Sequence, residues 1–102
     1  MKTYNLKLKE TAEADIHGLF GFLIVVMSQD GANRYIDTMM NEVRSLSILA
    51  DLYSTSRYAD ILKYHPEARH MVSHNKRWVY VFHIDDDTVV VDRIIPSKLI
   101  TK

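Results

Sequence analysis

The sequence predicts a single α+β domain over residues 1–102, with an N-terminal strand, a two-helix hairpin and then a three-stranded antiparallel meander. Three observations predict it. The chain has 102 residues, which fits one domain. Apolar residues alternate with polar ones near the N-terminus and then recur at helical spacing to about residue 50. From residue 68 onward, segments rich in β-branched and aromatic residues return, separated by turn residues.

The first strand and the first helix are predicted from a change in the spacing of apolar residues, from every second residue to helical spacing. Tyr4, Leu6 and Leu8 alternate with polar residues, which predicts a strand with one buried face. Thr11 is placed to cap a helix that begins at about Ala12. The apolar positions of this helix are Ile16, Leu19, Phe20 and Leu23.

A second helix is predicted after a short polar interruption, with Ser28 or Asp30 as its cap. Its continuous apolar face consists of Ala32, Tyr35, Ile36, Met39, Met40, Val43 and Leu46. Because the connection has only a few residues, we expect the two helices to form a hairpin.

The remainder of the chain predicts a long loop and three strands. The loop covers Asp51 to Glu67 and contains one helical turn at Tyr58 to Leu62. The strands are Ala68 to Ser73, Arg77 to Ile84 and Thr88 to Ile95, with turns at Asn75 and at Asp85 to Asp87. On the middle strand Trp78, Tyr80, Phe82 and Ile84 share the face that we expect to pack against the helices.

The composition excludes several classes of protein. Thirteen basic and thirteen acidic residues cancel, which argues against a protein that coats nucleic acid through its bulk charge. There is no cysteine, so a disulfide framework and a thiolate metal site are excluded. The longest apolar stretch is too short for a transmembrane helix, and no secretory signal is recognised, so we expect a cytoplasmic protein. We expect no metal and no cofactor.

The C-terminal third carries a resemblance to a known family. The segment from Arg69 to Ile84 resembles the basic and then aromatic strand pair of the RelE/ParE toxins. The segment from Asp86 to Ile95 resembles their last strand, which ends in an arginine, here Arg93, followed by two apolar residues. The order and spacing of the other elements match this fold over nearly the whole chain.

This resemblance implies the toxin of a type II toxin–antitoxin module, held inactive by a cognate antitoxin. One branch of the family is ParE-like and inhibits DNA gyrase, whereas RelE-like members cut messenger RNA on the ribosome. The nucleases related to YoeB carry a histidine and a tyrosine just after the last strand, where this chain has Ile95, Pro96 and Ser97. We therefore favour a ParE-like growth inhibitor, with a RelE-like endoribonuclease as the alternative and a non-toxic interaction module as a third hypothesis.

The resemblance also suggests site residues. If the protein is a nuclease, Arg77 is the phosphate clamp, and Arg69 and Lys76 add charge. The candidates to move protons are His70, His74 and His83. The candidate residues for binding the target or its phosphates are Arg57, Lys76, Arg77, Arg93 and Lys98. We expect Arg69, Lys76 and Arg77 to gather on one concave face. For Arg77 and Arg93 the structural alternative is an arginine at the sheet edge whose stem covers core residues.

The second half of the first helix is apolar on every side. The candidate partner-interface residues are Phe20, Phe22, Ile24, Val25 and Met27. A two-layer domain of this size can cover one side of a helix, so a protein interface with the antitoxin or with a second copy of the chain is one interpretation. A deeper core is the other.

Overall fold

The computed structural model describes residues 2–100, and Met1, Thr101 and Lys102 lie outside the described residues. The elements are β1 (Asn5–Leu8), α1 (Glu10–Val26), α2 (Gln29–Leu49), α3 (Ala59–Leu62), β2 (Arg69–Val72), β3 (Trp78–Asp85) and β4 (Thr88–Pro96). Short 3-10 turns follow α2 at Ala50–Leu52 and β4 at Ser97–Leu99. The predicted order of a strand, a helix pair, a loop with one helical turn and a meander is confirmed. No helix within residues 2–100 is long and apolar enough to cross a bilayer.

The four strands form one sheet in the order β1-β4-β3-β2. The last three strands are the predicted antiparallel meander, and β1 adds to its edge in parallel with β4, from the pair Asn5 and Thr88 to the pair Leu8 and Val91. The sheet is therefore mixed rather than wholly antiparallel. The helix pair carries the chain away from β1, and the meander brings β4 back alongside it.

The main core lies between the sheet and the helices α1 and α2. Its buried residues include Met39, Val43 and Leu46 from α2, Tyr80 and Phe82 from β3, and Val89, Val91 and Ile94 from β4. Trp78 and Ile84 pack against it from the same strand face, so the face predicted for the four bulky side chains of β3 is confirmed. A second, smaller core lies on the other face, where α3 and the following loop cover Val79, Val81 and Ile95.

A β-bulge at Asp92 interrupts the alternation of β4. Val81 pairs with Arg93 and Phe82 pairs with Val91, which leaves Asp92 as the extra residue. Val91 and Ile94 consequently both face the helices, although they are three positions apart. Every residue of β4 after the bulge therefore lies on the opposite face of the sheet from the one that unbroken alternation would give it.

The first turns of α1 are fastened to β4 just where β1 ends. The hydroxyl of Thr11 donates to the carbonyl oxygen of Asp92 at 2.6 Å, and the amide of Ile94 donates to the carboxylate of Asp15 at 2.9 Å. Thr11 as the helix cap is therefore wrong: α1 begins at Glu10 and has no side-chain cap. The hydroxyl instead donates to the edge of β4 beyond Val91, where β1 no longer pairs with it. The cap predicted at Ser28 is confirmed, because its Oγ accepts from the amide of Gly31.

We predict that Gly21→Ala stabilises the protein. A Cβ placed at Gly21, inside α1, meets no atom within 4 Å, and alanine in a helix interior is favoured over glycine by about 0.5–1 kcal/mol. Urea unfolding should show a gain of that size in the free energy of unfolding with an unchanged slope. A loss of stability would mean that this part of α1 is not a regular exposed helix.

Candidate functional site

Three cationic side chains meet at one end of the sheet. Lys76 and Arg77 occupy the turn between β2 and β3, where Lys76 has a left-handed φ of 65°. Ser97, which follows β4, donates its amide to the carbonyl of Arg77 at 2.9 Å and its hydroxyl to that of Lys76 at 2.7 Å. These two bonds bring Lys98 beside the turn. All three cations are exposed, and none takes part in the ion pairs found among residues 2–100.

Arg69 does not join this group, so its expected gathering with Lys76 and Arg77 is wrong. Its guanidinium donates to the carbonyl oxygens of Tyr53 at 2.8 Å and Ala50 at 3.3 Å, at the C-terminal end of α2. Arg69 pairs with Phe82 in the sheet, five positions from Arg77, which is roughly 16 Å along a strand. Alternation places it on the helix-facing side with Met71, within reach of these carbonyl oxygens.

Arg93 is held in an ion pair. Its Nε and Nη2 donate to the two oxygens of Asp15 at 2.7 and 3.0 Å, and its guanidinium lies 5.3 Å from the ring centre of Tyr64. The hydrogen bonding of Arg93 to the Asp15 carboxylate, which stabilises the charged guanidinium, raises the pKa of Arg93 above its ordinary value. This contact corresponds to the structural interpretation of Arg93 rather than to a free target-binding cation. Arg57 is exposed in the loop before α3.

His83 forms a buried dyad with Asp92, at 2.7 Å between Nδ1 and Oδ2. The ring of His65 stacks on that of His83 with 3.7 Å between centroids and 3° between planes, and Lys9 Nζ lies 3.5 Å from the other oxygen of Asp92. Of these residues the sequence reasoning singled out His83 alone as a candidate. Alternation on β3 and β4 places His83 and Asp92 on one face and could have revealed the dyad, but the loop position of His65 carries no such signal.

The other candidate histidines lie elsewhere. His74 is exposed in the turn with Arg77, and its backbone amide donates to Glu42 at 2.6 Å. His70 lies on β2 with its ring 5.5 Å from that of Tyr58, and its Nδ1 is buried without a hydrogen-bond partner. No three histidine, cysteine, aspartate or glutamate side chains in the part of the chain that the structure describes converge in a metal-binding arrangement.

The C-terminal half of α1 is largely uncovered. Val25 is 82% exposed and Phe22 is 62% exposed, whereas Leu23 between them is 5% exposed. Ile24, Val26 and Met27 are exposed as well, and Phe20 is half-buried. The deeper-core interpretation is therefore wrong for Phe22, Ile24, Val25 and Met27, and a surface of exposed apolar side chains remains.

A groove adjoins this surface, between α1 and the segment after β4. We call it the α1 groove; its lining includes Ala14, Gly18, Leu19, Phe22, Tyr64 and Leu99, with the ion-paired Asp15 and Arg93. Trp78 and Pro96 line it too, and the same two residues line the depression that holds Lys76, Arg77 and Lys98. Trp78 and Pro96 are direct partners across β3 and β4. Trp78 and Pro96 therefore form a ridge, with the apolar α1 groove on one side of it and the three cations on the other.

The backbone is similar to a solved chain described as "Chromosomal ParDE TA system from P. aeruginosa". The TM-score is 0.78 at 16% sequence identity, and the similarity covers 92% of this chain and 96% of that chain. No family model and no curated protein matches the sequence. At this identity the likeness shows the fold alone, and the predicted α+β fold class is confirmed.

We predict that His70 makes the protein less stable in mild acid. Burial lowers the pKa of His70 in the folded state, so the unfolded chain takes up this proton first as pH falls below about 6.5. The free energy of unfolding should therefore decrease from about pH 6.5 down to the folded-state pKa and change no further from this group below it. Urea unfolding of His70→Gln across this range should show a shallower decline than the parent chain. Equal declines in the two proteins would contradict the assignment.

Proposed function

We propose that this chain is the toxin of a type II toxin–antitoxin module, a ParE-like inhibitor of growth that acts on DNA gyrase and is neutralised by a cognate antitoxin. The observation that carries the proposal is the group of three unpaired cations, Lys76, Arg77 and Lys98, on a fold similar to a chain of a ParDE system. Exposed cations without internal partners favour binding to an acidic surface. The proposed place of action is the bacterial cytoplasm.

The arrangement of the other candidates favours binding over cleavage. Cleavage of RNA through its 2′-hydroxyl needs a base, a cation at the phosphate and a proton donor close together. Arg69 and Arg93 are occupied by backbone carbonyls and by Asp15. His83 is six positions along the chain from Arg77, roughly 20 Å along a strand. These residues do not form one centre.

A RelE-like endoribonuclease remains the second candidate function, and one observation favours it. His74 lies in the same turn as Arg77, three positions before it, and both residues are exposed. A phosphate held by Arg77 would then have a proton carrier close by. In the third hypothesis, a non-toxic interaction module, the same surface binds a partner without arresting growth.

The neutralising partner is proposed to bind the uncovered part of α1. Monomeric proteins rarely leave a contiguous set of large apolar side chains exposed without an interaction partner. The predicted interface residues Phe22, Ile24, Val25 and Met27 are all exposed in this chain. They lie on α1, whereas the cations lie on the turns at the end of the sheet, so partner binding and target binding have separate determinants.

We predict that induced expression arrests growth and that the purified chain inhibits supercoiling by gyrase. Replacing Lys76, Arg77 and Lys98 together by Glu should weaken inhibition on the order of 100-fold, because it reverses the sign of the contact surface. Arg34→Glu, which changes an exposed arginine on α2, is the matched control and should leave inhibition intact. Mapping the 5′ and 3′ ends of transcripts in the same cells distinguishes the two toxins.

New transcript ends that disappear when Arg77 or His74 is replaced, together with normal supercoiling, would contradict the gyrase proposal and support the nuclease. Normal growth after induction would contradict both toxins and support the non-toxic interaction module.

A further inference from the structure

The turn between β2 and β3 (residues 73–77), which we call the cationic turn, is fastened to α2 by one carboxylate. Glu42 accepts from the backbone amide of His74 at 2.6 Å and from the hydroxyl of Tyr80 at 2.9 Å. Tyr80 is fully buried within β3. Hydrogen bonds to a carboxylate are roughly twice as strong as those between neutral groups. One half-buried side chain of α2 therefore links the turn to the core.

A second side chain of α2 holds the same turn. The hydroxyl oxygen of Tyr35 accepts from the side-chain amide of Asn75 at 3.2 Å and from the indole N–H of Trp78 at 2.9 Å. Tyr35 and Glu42 are seven positions apart, so they lie on the same face of α2, about 10.5 Å apart along its axis. The helix therefore presents two hydrogen-bonding groups to the turn and to the start of β3.

Asn75 carries this contact into the backbone of the turn. Its side-chain oxygen accepts from the amide of Arg77 at 3.0 Å and from the hydroxyl of Ser73, which is buried, at 2.7 Å. Lys76 has a φ of 65°, a left-handed conformation that is unfavourable for a lysine and persists where the surroundings fix it. The backbone that carries the two cations of the turn is thus held from α2, while Ser97 holds its other side.

The fixed backbone of the cationic turn has a consequence for binding. A mobile turn would have to be ordered when its cations meet an acidic partner, and this loss of conformational entropy would weaken binding. A turn that is already ordered avoids this cost. Glu42 also brings a negative charge to the base of the turn, and that charge by itself weakens the attraction of an acidic partner. A contribution of Glu42 to binding therefore comes from the geometry that it imposes and not from its charge.

We propose that Glu42 and Tyr35 are positioning residues for target binding, because they fix the cationic turn so that Lys76 and Arg77 meet an acidic surface of the target in one arrangement. This inference rests on the proposed function, in which these cations bind the target. Both positioning residues act through the turn and lie behind the binding surface. The affinity for the target therefore depends on hydrogen-bonding groups of α2 as well as on the exposed cations.

The test uses replacements that separate hydrogen bonding from charge. Glu42→Ala removes the carboxylate with both of its hydrogen bonds, whereas Glu42→Gln removes the charge and keeps an amide with an acceptor oxygen and a donor nitrogen. Tyr35→Phe removes the hydroxyl and keeps the ring. Its matched control is Tyr4→Phe, which removes a hydroxyl that donates to Asp51 at 2.7 Å. Val43→Ala, at a position buried in the main core next to Glu42 in the sequence, controls for a loss of global stability.

Two properties of the full chain are measured at a temperature where circular dichroism shows every variant to be folded. Nitrogen-15 relaxation gives the order parameters of the backbone amides of the cationic turn, which in Glu42→Ala and Tyr35→Phe should fall from about 0.85 towards about 0.6. The concentration that half-inhibits supercoiling by gyrase should rise about tenfold in the same two variants, as expected when about one residue has to be ordered on binding. Glu42→Gln and the two controls should behave like the parent chain in both measurements.

Trp78 is the one tryptophan of the chain, so its fluorescence reports on the junction between the cationic turn and β3. Loss of the hydrogen bond from its indole N–H should make this fluorescence more accessible to quenching by acrylamide in Tyr35→Phe. Tyr4→Phe should be quenched like the parent chain. Equal quenching in Tyr35→Phe and the parent would contradict the role assigned to Tyr35.

The proposal would be overturned if Glu42→Ala inhibited gyrase as well as the parent chain, or better, as the loss of a negative charge alone would produce. An equal loss of inhibition in Glu42→Gln would assign the effect to charge, and an equal loss in Val43→Ala would assign it to stability; either result would overturn the proposal too. A parent chain that does not inhibit gyrase would defeat the proposed function. In that case a turn that loses order in Glu42→Ala and Tyr35→Phe would still support the positioning role, and a turn that keeps its order would overturn it.

Discussion

The carboxylate of Asp15 accepts two hydrogen bonds from the guanidinium of Arg93 and one from the amide of Ile94. It does so where β4 has lost its neighbour, because β1 ends at Leu8, the partner of Val91. An unpaired strand edge at this point would attract another chain or water. The contact instead fixes the first half of α1 against the sheet, and the second half of α1 extends from this anchor with its apolar side chains uncovered.

The cationic residues of this part of the molecule have two different roles. Arg93 holds α1 against β4 through Asp15, and Arg69 holds the turn that follows α2 through the carbonyl oxygens of Ala50 and Tyr53. Lys76, Arg77 and Lys98 are left without internal partners, at the end of the sheet that Ser97 ties together. A chain with zero formal net charge thereby presents a local cationic surface. This surface lies next to the α1 groove, and Trp78 and Pro96 line both.

Much of the fold was predictable because local patterns determine it: the alternation of Tyr4, Leu6 and Leu8, the cap at Ser28 and the aspartate turn before Thr88 each act over a few residues. The site was less predictable because its contacts join distant parts of the chain. The hydrophobic period of the sequence does not show that a bulge at Asp92 turns Arg93 to the opposite face of the sheet, or that His65 stacks on His83. Arg69 and Arg77 look equivalent in sequence, yet their places in the sheet give them different partners.

Amide hydrogen exchange at Ile94 tests most directly the claim that Asp15 fastens α1 to β4. In Asp15→Ala the ratio of the exchange rates of Ile94 and Tyr80, whose amide lies within the central strand, should rise on the order of 10- to 100-fold as the edge amide loses its acceptor. Normalising to Tyr80 removes the effect of lower global stability. An unchanged ratio would show that Ile94 is protected without Asp15, and would contradict the account of how α1 and its groove are positioned.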